Sequence, residues 1–124
     1  MLIGARFGTR DLNQAVKFYD PIAKLLGADR IAMEVPNAVF YKGPQGAMFI
    51  VGLPYEGDVT FGNGVQANFS ATSRAVVDAV HAKALELGGK DEGAPGIRGP
   101  ADRGAYGAYF RDLDGNKIAV FAFS

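Results

Sequence analysis

Read from its first residue, the chain alternates short runs of apolar and polar positions with two longer stretches whose apolar residues recur at helical spacing. Ala15, Phe18, Ile22 and Leu25 stand at i, i+3, i+7 and i+10, which is one face of a helix. Val77, Val80, Ala84 and Leu87 repeat that spacing 62 residues later, and the same shift carries Phe7 onto Phe69 and Gly27 onto Gly89. Self-similarity of this kind marks a repeated structural unit. Asp11, with Gln14 three residues on, predicts the start of the first helix; Thr72 or Ser73 caps the second. Gly27 and the pair Gly88 and Gly89 predict the stops. Pro21 falls inside the first helix, so a kink or break is expected near Asp20.

Extended segments surround both helices. One precedes each, over residues 2–9 and 65–71, and three follow each, over 30–35, 38–42 and 47–53, then 90–98, 105–111 and 117–123. Turn sequences join the last two strands of each half: Gly43, Pro44, Gln45 and Gly46 in the first, Asp112, Leu113, Asp114, Gly115 and Asn116 in the second. The order is βαβββ twice. The chain is therefore expected to be one α+β domain over residues 1–124, with a first module at about 1–57, a second at about 64–124, and a join at 57–64. Two such modules can pair into a curved, cup-like mixed sheet with helices outside.

Composition narrows the chemistry. At 124 residues the chain fits a single domain. It has no cysteine, which excludes disulfides, thiolate metal sites and cysteine nucleophiles. Thirteen basic and thirteen acidic residues give no net charge, so the broad basic footprint of a nucleic-acid binder is missing. No apolar run approaches the length of a membrane span and no signal-like segment opens the chain, so the expectation is a cytoplasmic protein with no membrane partner. Glycine, at 17 residues, is about twice its ~7 % average, in keeping with many short strands and tight turns.

Phe7-Gly8-Thr9-Arg10-Asp11-Leu12, followed by Phe18-Tyr19-Asp20 and Leu25-Leu26-Gly27, resembles the opening of vicinal oxygen chelate proteins, the glyoxalase, bleomycin-resistance and extradiol dioxygenase group. Tyr109-Phe110-Arg111-Asp112-Leu113-Asp114-Gly115-Asn116-Lys117-Ile118 resembles their closing strands, with Leu113 where the family often has proline. The resemblance covers essentially the whole chain. It implies paired βαβββ modules, often a homodimer, and a cup that in many members holds a divalent metal and in others binds drugs without one. Carried onto this sequence, the family's metal-ligand places fall on Gly4, Ile50, Gln66 and Ala119. Only Gln66 has an electron pair to offer, and a neutral amide is a weak ligand. No metal and no cofactor are expected.

Strand alternation predicts what the cup presents instead. Ile3, Ala5 and Phe7 suit the helix side, as do Ala67, Phe69 and Ala71. The opposite face then carries Arg6 on the first strand, Gln66, Asn68 and Ser70 on the fifth, Met48 on the fourth and Phe121 on the last. One arginine and several hydrogen-bonding groups against apolar side chains suit a small polar or anionic ligand. Other candidates read as structure: His81 as a half-exposed helix flank without a carboxylate partner, Tyr55, Tyr106 and Tyr109 as packing residues, and Arg111 with Asp112 and Asp114 as a salt-linked turn. Residues 88–107, with Lys90, Arg98 and Arg103 among glycines, suit either a lid or a plain loop. The leading expectation is a metal-free small-molecule binding protein, glyoxalase- or bleomycin-resistance-like and dimeric, because the last strand ends in an apolar edge at Phe121 and Phe123. The alternative is a lyase or isomerase that uses Arg6 and Gln66 to stabilise an oxyanion, metal-independent or with displaced metal ligands. Whether the protein is an enzyme stays open at this point.

Overall fold

The computed structural model describes residues 1–100 and 104–123. Each half of the chain folds as strand, helix and three strands: β1 (Gly4–Gly8), α1 (Leu12–Leu25), β2 (Asp29–Ile31), β3 (Ala38–Lys42) and β4 (Met48–Gly52), then β5 (Ala67–Ser70), α2 (Arg74–Glu86), β6 (Lys90–Arg98), β7 (Ala105–Arg111) and β8 (Lys117–Ala122). The helix ends follow local chemistry. The Asp11 carboxylate accepts the Gln14 N–H at 3.2 Å, and the Ser73 hydroxyl accepts that of Val76 at 3.2 Å. Gly27 and Gly88 follow the two helices with φ of 72° and 101°, a left-handed turn open to glycine.

α1 runs unbroken through Pro21, so the expected break does not occur. A proline in a helix interior costs about 3 kcal/mol. Here Phe18, Tyr19 and Ile22, all buried, hold both sides of it against the core, and burying each such side chain returns roughly 1.5–3 kcal/mol.

The strands form two four-stranded sheets with one shared plan. The first is ordered β1-β4-β3-β2 and the second β5-β8-β7-β6; β1 with β4 and β5 with β8 are parallel, the rest antiparallel. The repeat read from the sequence is thus a repeat of topology. Among the described residues, no ladder joins the two sheets. They meet through their helix-side faces instead. Phe18, Tyr19 and Ile22 of α1, Val77 and Val80 of α2, Val51 of the first sheet and Phe110, Ile118 and Val120 of the second belong to one buried cluster. Phe49 packs edge-on against Phe69 across the modules, with centroids 5.1 Å apart. The opposite faces of both sheets are turned away from this core.

One strand expectation is corrected and another holds. Residues 117–123 do not form an edge: β8 lies between β5 and β7, and Ile118, Ala119 and Val120 are buried because neighbouring strands and α2 cover them. The outer strands are β1 and β2 in one sheet and β5 and β6 in the other. Residues 90–98 form the expected strand, so this part of 88–107 is neither a lid nor a plain loop. They pair with β7 through irregularities between Asp91 and Gly93 and between Gly93 and Gly96, which are bulges. Arg103 lies outside the described residues.

A polar clasp supplements the apolar core. The turn after β7 places Asp112 in the interior, where its carboxylate accepts the Tyr19 hydroxyl at 2.5 Å, the Asn116 side-chain and backbone N–H groups at 2.9 Å, and the Asp114 N–H at 2.9 Å. Asn116 then donates to the Gly8 carbonyl at 2.8 Å. Asp114 reaches the first module as well, accepting from the Thr9 hydroxyl at 2.5 Å and from the Arg10 N–H at 3.0 Å. The salt link to this turn comes from the other module, Arg10 to Asp114 at 3.1 Å, while Arg111 pairs with Glu92 at 2.6 Å and reaches the turn through the Gly115 carbonyl at 2.9 Å.

Tyr19→Phe keeps the ring and removes one donor from the buried Asp112 carboxylate. A loss of about 1–3 kcal/mol in unfolding free energy is expected, measured by urea denaturation at pH 7. A loss below a few tenths would mean that the clasp does not contribute to stability.

Candidate functional site

Register decides which side chains share a face. On the first sheet Gly4 stands beside Met48, Arg6 beside Ile50 and Gly8 beside Gly52. On the second, Asn68 stands beside Ala119 and Ser70 beside Phe121, with Tyr109 and Gly107 next to those two on the far side, and Lys117 stands beside Arg111. These are the faces turned away from the core. The residues predicted for the cup therefore do project from the non-core faces, but from two different sheets. Arg6 and Met48 belong to the first; Gln66, Asn68, Ser70 and Phe121 belong to the second.

The second sheet brings its members together. Asn68, Ser70 and Phe121 line a hollow of about 450 Å³, with Arg98, Phe123 and the backbone of Gly99 and Ala105 completing the wall. Phe121 forms the floor. Its ring lies flat over Gly107, where a Cβ would come within 2.4 Å of the ring, and it meets Tyr109 edge-on at 5.7 Å. Arg98 is held beside the hollow by donating to the Ala94 carbonyl at 2.6 Å, with its guanidinium 5.4 Å from the Tyr109 ring centroid. Gln66 donates its amide N–H to Asn68 Oδ1 at 2.8 Å and opens onto a neighbouring hollow.

Arg6 is engaged within its own module. It donates to the Leu53 carbonyl at 2.8 Å and lies 5.1 Å from the Tyr55 ring centroid. Gly52 makes this possible: a Cβ there would fall 2.6 Å from the guanidinium nitrogen. Tyr55 is thus not a packing residue, being 89 % exposed; it covers Arg6. Arg6 lines neither of the two hollows on the second sheet.

The places where the family would hold a metal do not supply a ligand set. Gly4 has no side chain, and a Cβ there would meet the Met48 carbonyl at 2.8 Å. Ile50 and Ala119 are apolar, and the Gln66 amide is engaged with Asn68. Among the described residues no three His, Asp or Glu side chains converge. These residues do not fit a divalent ion.

His81 departs from its expected role. It is buried, and its Nε2 lies 3.0 Å from Asp91 Oδ1. The partner was not visible in sequence because it comes from β6, where pairing with Phe110 puts Asp91 on the core side, and the Gly93 N–H and His81 hold its carboxyl below the usual range. Asp91 pairs with Phe110, on the core side of the sheet, so the pair lies away from the hollow. Tyr106 and Tyr109 do pack, the first with its hydroxyl on Asp78 at 2.5 Å and the second between Arg98 and Lys117. Arg98 is the residue that the strand pattern missed. Its segment is so rich in glycine that period-two alternation is hard to see, although the arginine ends a strand whose neighbour carries the aromatic Tyr106 and Tyr109.

No family model matches the chain, and no curated protein sequence matches it significantly. Solved structures do match. A glyoxalase/bleomycin resistance protein from Albidiferax ferrireducens is 36 % identical, superposes with a TM-score of 0.87, and is matched over 98 % of both chains. A glyoxalase-related enzyme from Fulvimarina pelagi is 18 % identical with a TM-score of 0.73, over 98 % of this chain and 87 % of the other. Lactoylglutathione lyase from Agrobacterium tumefaciens is 21 % identical with a TM-score of 0.66, over 98 % and 92 %. The latter two share the fold. With paired βαβββ modules of this topology, and with identity of this level to the first over nearly all of both chains, this protein belongs to the glyoxalase/bleomycin resistance family of the vicinal oxygen chelate superfamily.

Proposed function

We propose that the protein binds a small polar or anionic molecule without the help of a metal, and that the ligand sits on the outward face of the second sheet. The single observation that carries this reading is the hollow over β5 and β8, where Asn68 and Ser70 offer hydrogen bonds, Arg98 a positive charge and Phe121 with Phe123 an apolar floor. Small-molecule sites commonly combine an apolar lining with a few placed polar groups. Arg98 is the anchor for a carboxylate or phosphate, because a guanidinium presents paired donors to such groups.

The other wall of the cup comes from a second copy. The outward face of the first sheet carries Arg6 and Met48 and needs a partner, as do the outer strands β1 and β5, which each pair on one side only. Ile3, beside β1, is 79 % exposed, and Phe123, at the end of β8, is 81 % exposed; exposed apolar groups next to an open strand edge favour association. In a homodimer the Arg6 face of one protomer closes over the Asn68 face of its partner. No helix is long and apolar enough to cross a membrane.

The reading as a lyase or isomerase needs a general base within reach of the ligand. His81 with Asp91 is the one histidine–carboxylate pair among the described residues, and it lies on the core side. Binding is therefore the favoured activity.

Four measurements test this. Calorimetry against a panel of small carboxylates and phosphate esters should find a ligand whose affinity falls about tenfold or more in Arg98→Ala, since a hydrogen bond to a charged group is worth about 1.5–3 kcal/mol. Equal affinity in the variant removes Arg98 from the site. The same titration with Arg6→Ala asks whether the first-sheet face takes part: weaker binding supports the closed dimeric cup, and unchanged binding removes Arg6. Gly107→Ala should push the Phe121 ring off its floor and weaken binding without altering the β-sheet signal in circular dichroism, a change of about 1–3 kcal/mol for overpacking. Chelator-treated protein titrated with Zn, Ni, Mn or Fe(II) should show no saturable rise in Tm, because a ligand that binds only the folded state must raise it. A rise at one ion per chain or per dimer would overturn the metal-independent reading.

A further inference from the structure

The hollow onto which Gln66 opens has a different character from the one above. It measures about 310 Å³ and is lined by Gly62, Gly64 and Val65 of the linker, Gln66, and the side chains of Arg111 and Lys117. Arg111 and Lys117 are direct cross-strand partners on one face of β7 and β8. Like charges set directly opposite on a sheet repel. Lys90 stands opposite Arg111 on the other side and adds a third cation. The acid in the group is Glu92, which accepts from Arg111 Nε at 2.6 Å and whose carboxyl is held low first by that bond and then by the surrounding positive charge. Three cations around one carboxylate leave an excess of positive charge beside a polar hollow.

The arginine is also held in place. Its Nε is on Glu92, its Nη1 donates to the Gly115 carbonyl at 2.9 Å, and the Phe61 ring lies 5.5 Å from the guanidinium carbon. These contacts leave Nη2 free of a partner among the described residues and orient the guanidinium before any ligand arrives, which lowers the entropic cost of binding. Glycine at positions 62 and 64 lets a ligand come close to the linker backbone without meeting side chains. Gln66 adds an amide at the rim, with one of its N–H groups given to Asn68.

We propose that this hollow is an oxyanion site for a phosphate group, held by Arg111 and Lys117. A doubly charged tetrahedral oxyanion accepts from the guanidinium and the ammonium together and neutralises the pair that the sheet forces side by side. The site stands independently of the ligand proposed for the hollow over Phe121, since the two share no charged residue.

The test is calorimetric titration with inorganic phosphate and, in parallel, phenyl phosphate, at low ionic strength, with backbone amide shifts followed by NMR. Saturable binding of either is expected, with the largest shifts at Gly62, Gly64 and Gln66. The organic ester binding more tightly would mean that the hollow takes a monoester rather than free phosphate. Lys117→Gln should weaken binding about tenfold, the effect of losing one charge-assisted contact, and Arg111→Gln should weaken it at least as much. Lys117 makes no structural ion pair among the described residues, so that variant remains informative even where Arg111→Gln destabilises the fold. Lys24→Gln, an exposed cation on α1 that lines neither hollow, should leave phosphate affinity within about twofold. The proposal is overturned by absence of saturable binding of both probes, by unchanged affinity in Lys117→Gln, or by shifts centred on Asn68 and Ser70 instead.

Discussion

The Asp112 carboxyl group is buried, and burial raises its pKa above the ordinary carboxylate range even though Tyr19, Asn116 and two backbone N–H groups donate to it. A buried carboxylate is tolerated only where its lone pairs are met, and leaving one unmet is expensive. The turn from Asp112 to Asn116 therefore has to keep Tyr19 of the other module in place. Apolar contact among Phe18, Phe110 and their neighbours brings the halves together but has little directional preference. The clasp supplies direction, by locking the Asp112 turn onto Tyr19, Thr9 and the Gly8 carbonyl at once. Once the modules meet on their helix sides, their other faces must point outward, and the two hollows exist because of that arrangement.

Glycine shapes those outward faces. At Gly107 the missing side chain gives Phe121 room to lie flat as the floor of one hollow, and at Gly52 it lets the Arg6 guanidinium rest against the sheet under Tyr55. The high glycine content first suggests turns. In the folded chain several of these glycines are instead strand residues that make space for a ring or a guanidinium on the neighbouring strand. Gly4 takes part in the same close packing, since a Cβ there would meet the Met48 carbonyl of the neighbouring strand.

Much of the architecture was legible because it rests on local rules. Amphipathic spacing at Phe18 and Val80, capping by Asp11 and Ser73, and the Asp-x-Asp-Gly-Asn turn each follow from residues close in sequence. Strands 38–42 and 105–111 fell where alternation put them. What was misread depended on distant partners. His81 found Asp91 on the neighbouring strand, Asp114 found Thr9 across the chain rather than Arg111 beside it, and β8 gained a neighbour on each side. Pairing order and bulge position are settled by packing over the whole sheet, and no short window of sequence contains them.

The sequence by itself determined the repeated βαβββ order, the helix limits, the alternation that turns Arg6, Asn68, Ser70 and Phe121 away from the helix side, and the lack of ligand chemistry at Gly4, Ile50 and Ala119. All of these depend on residue type and on spacing along a strand or helix, which are properties of a single segment. Only the tertiary structure decided that Arg6 stands apart from the Asn68 group, that Arg98 borders the hollow instead, and that Arg111 and Lys117 share a second one. Those outcomes depend on which strands pair and which faces meet, and the free energy that decides them comes from contacts between residues as much as 108 positions apart.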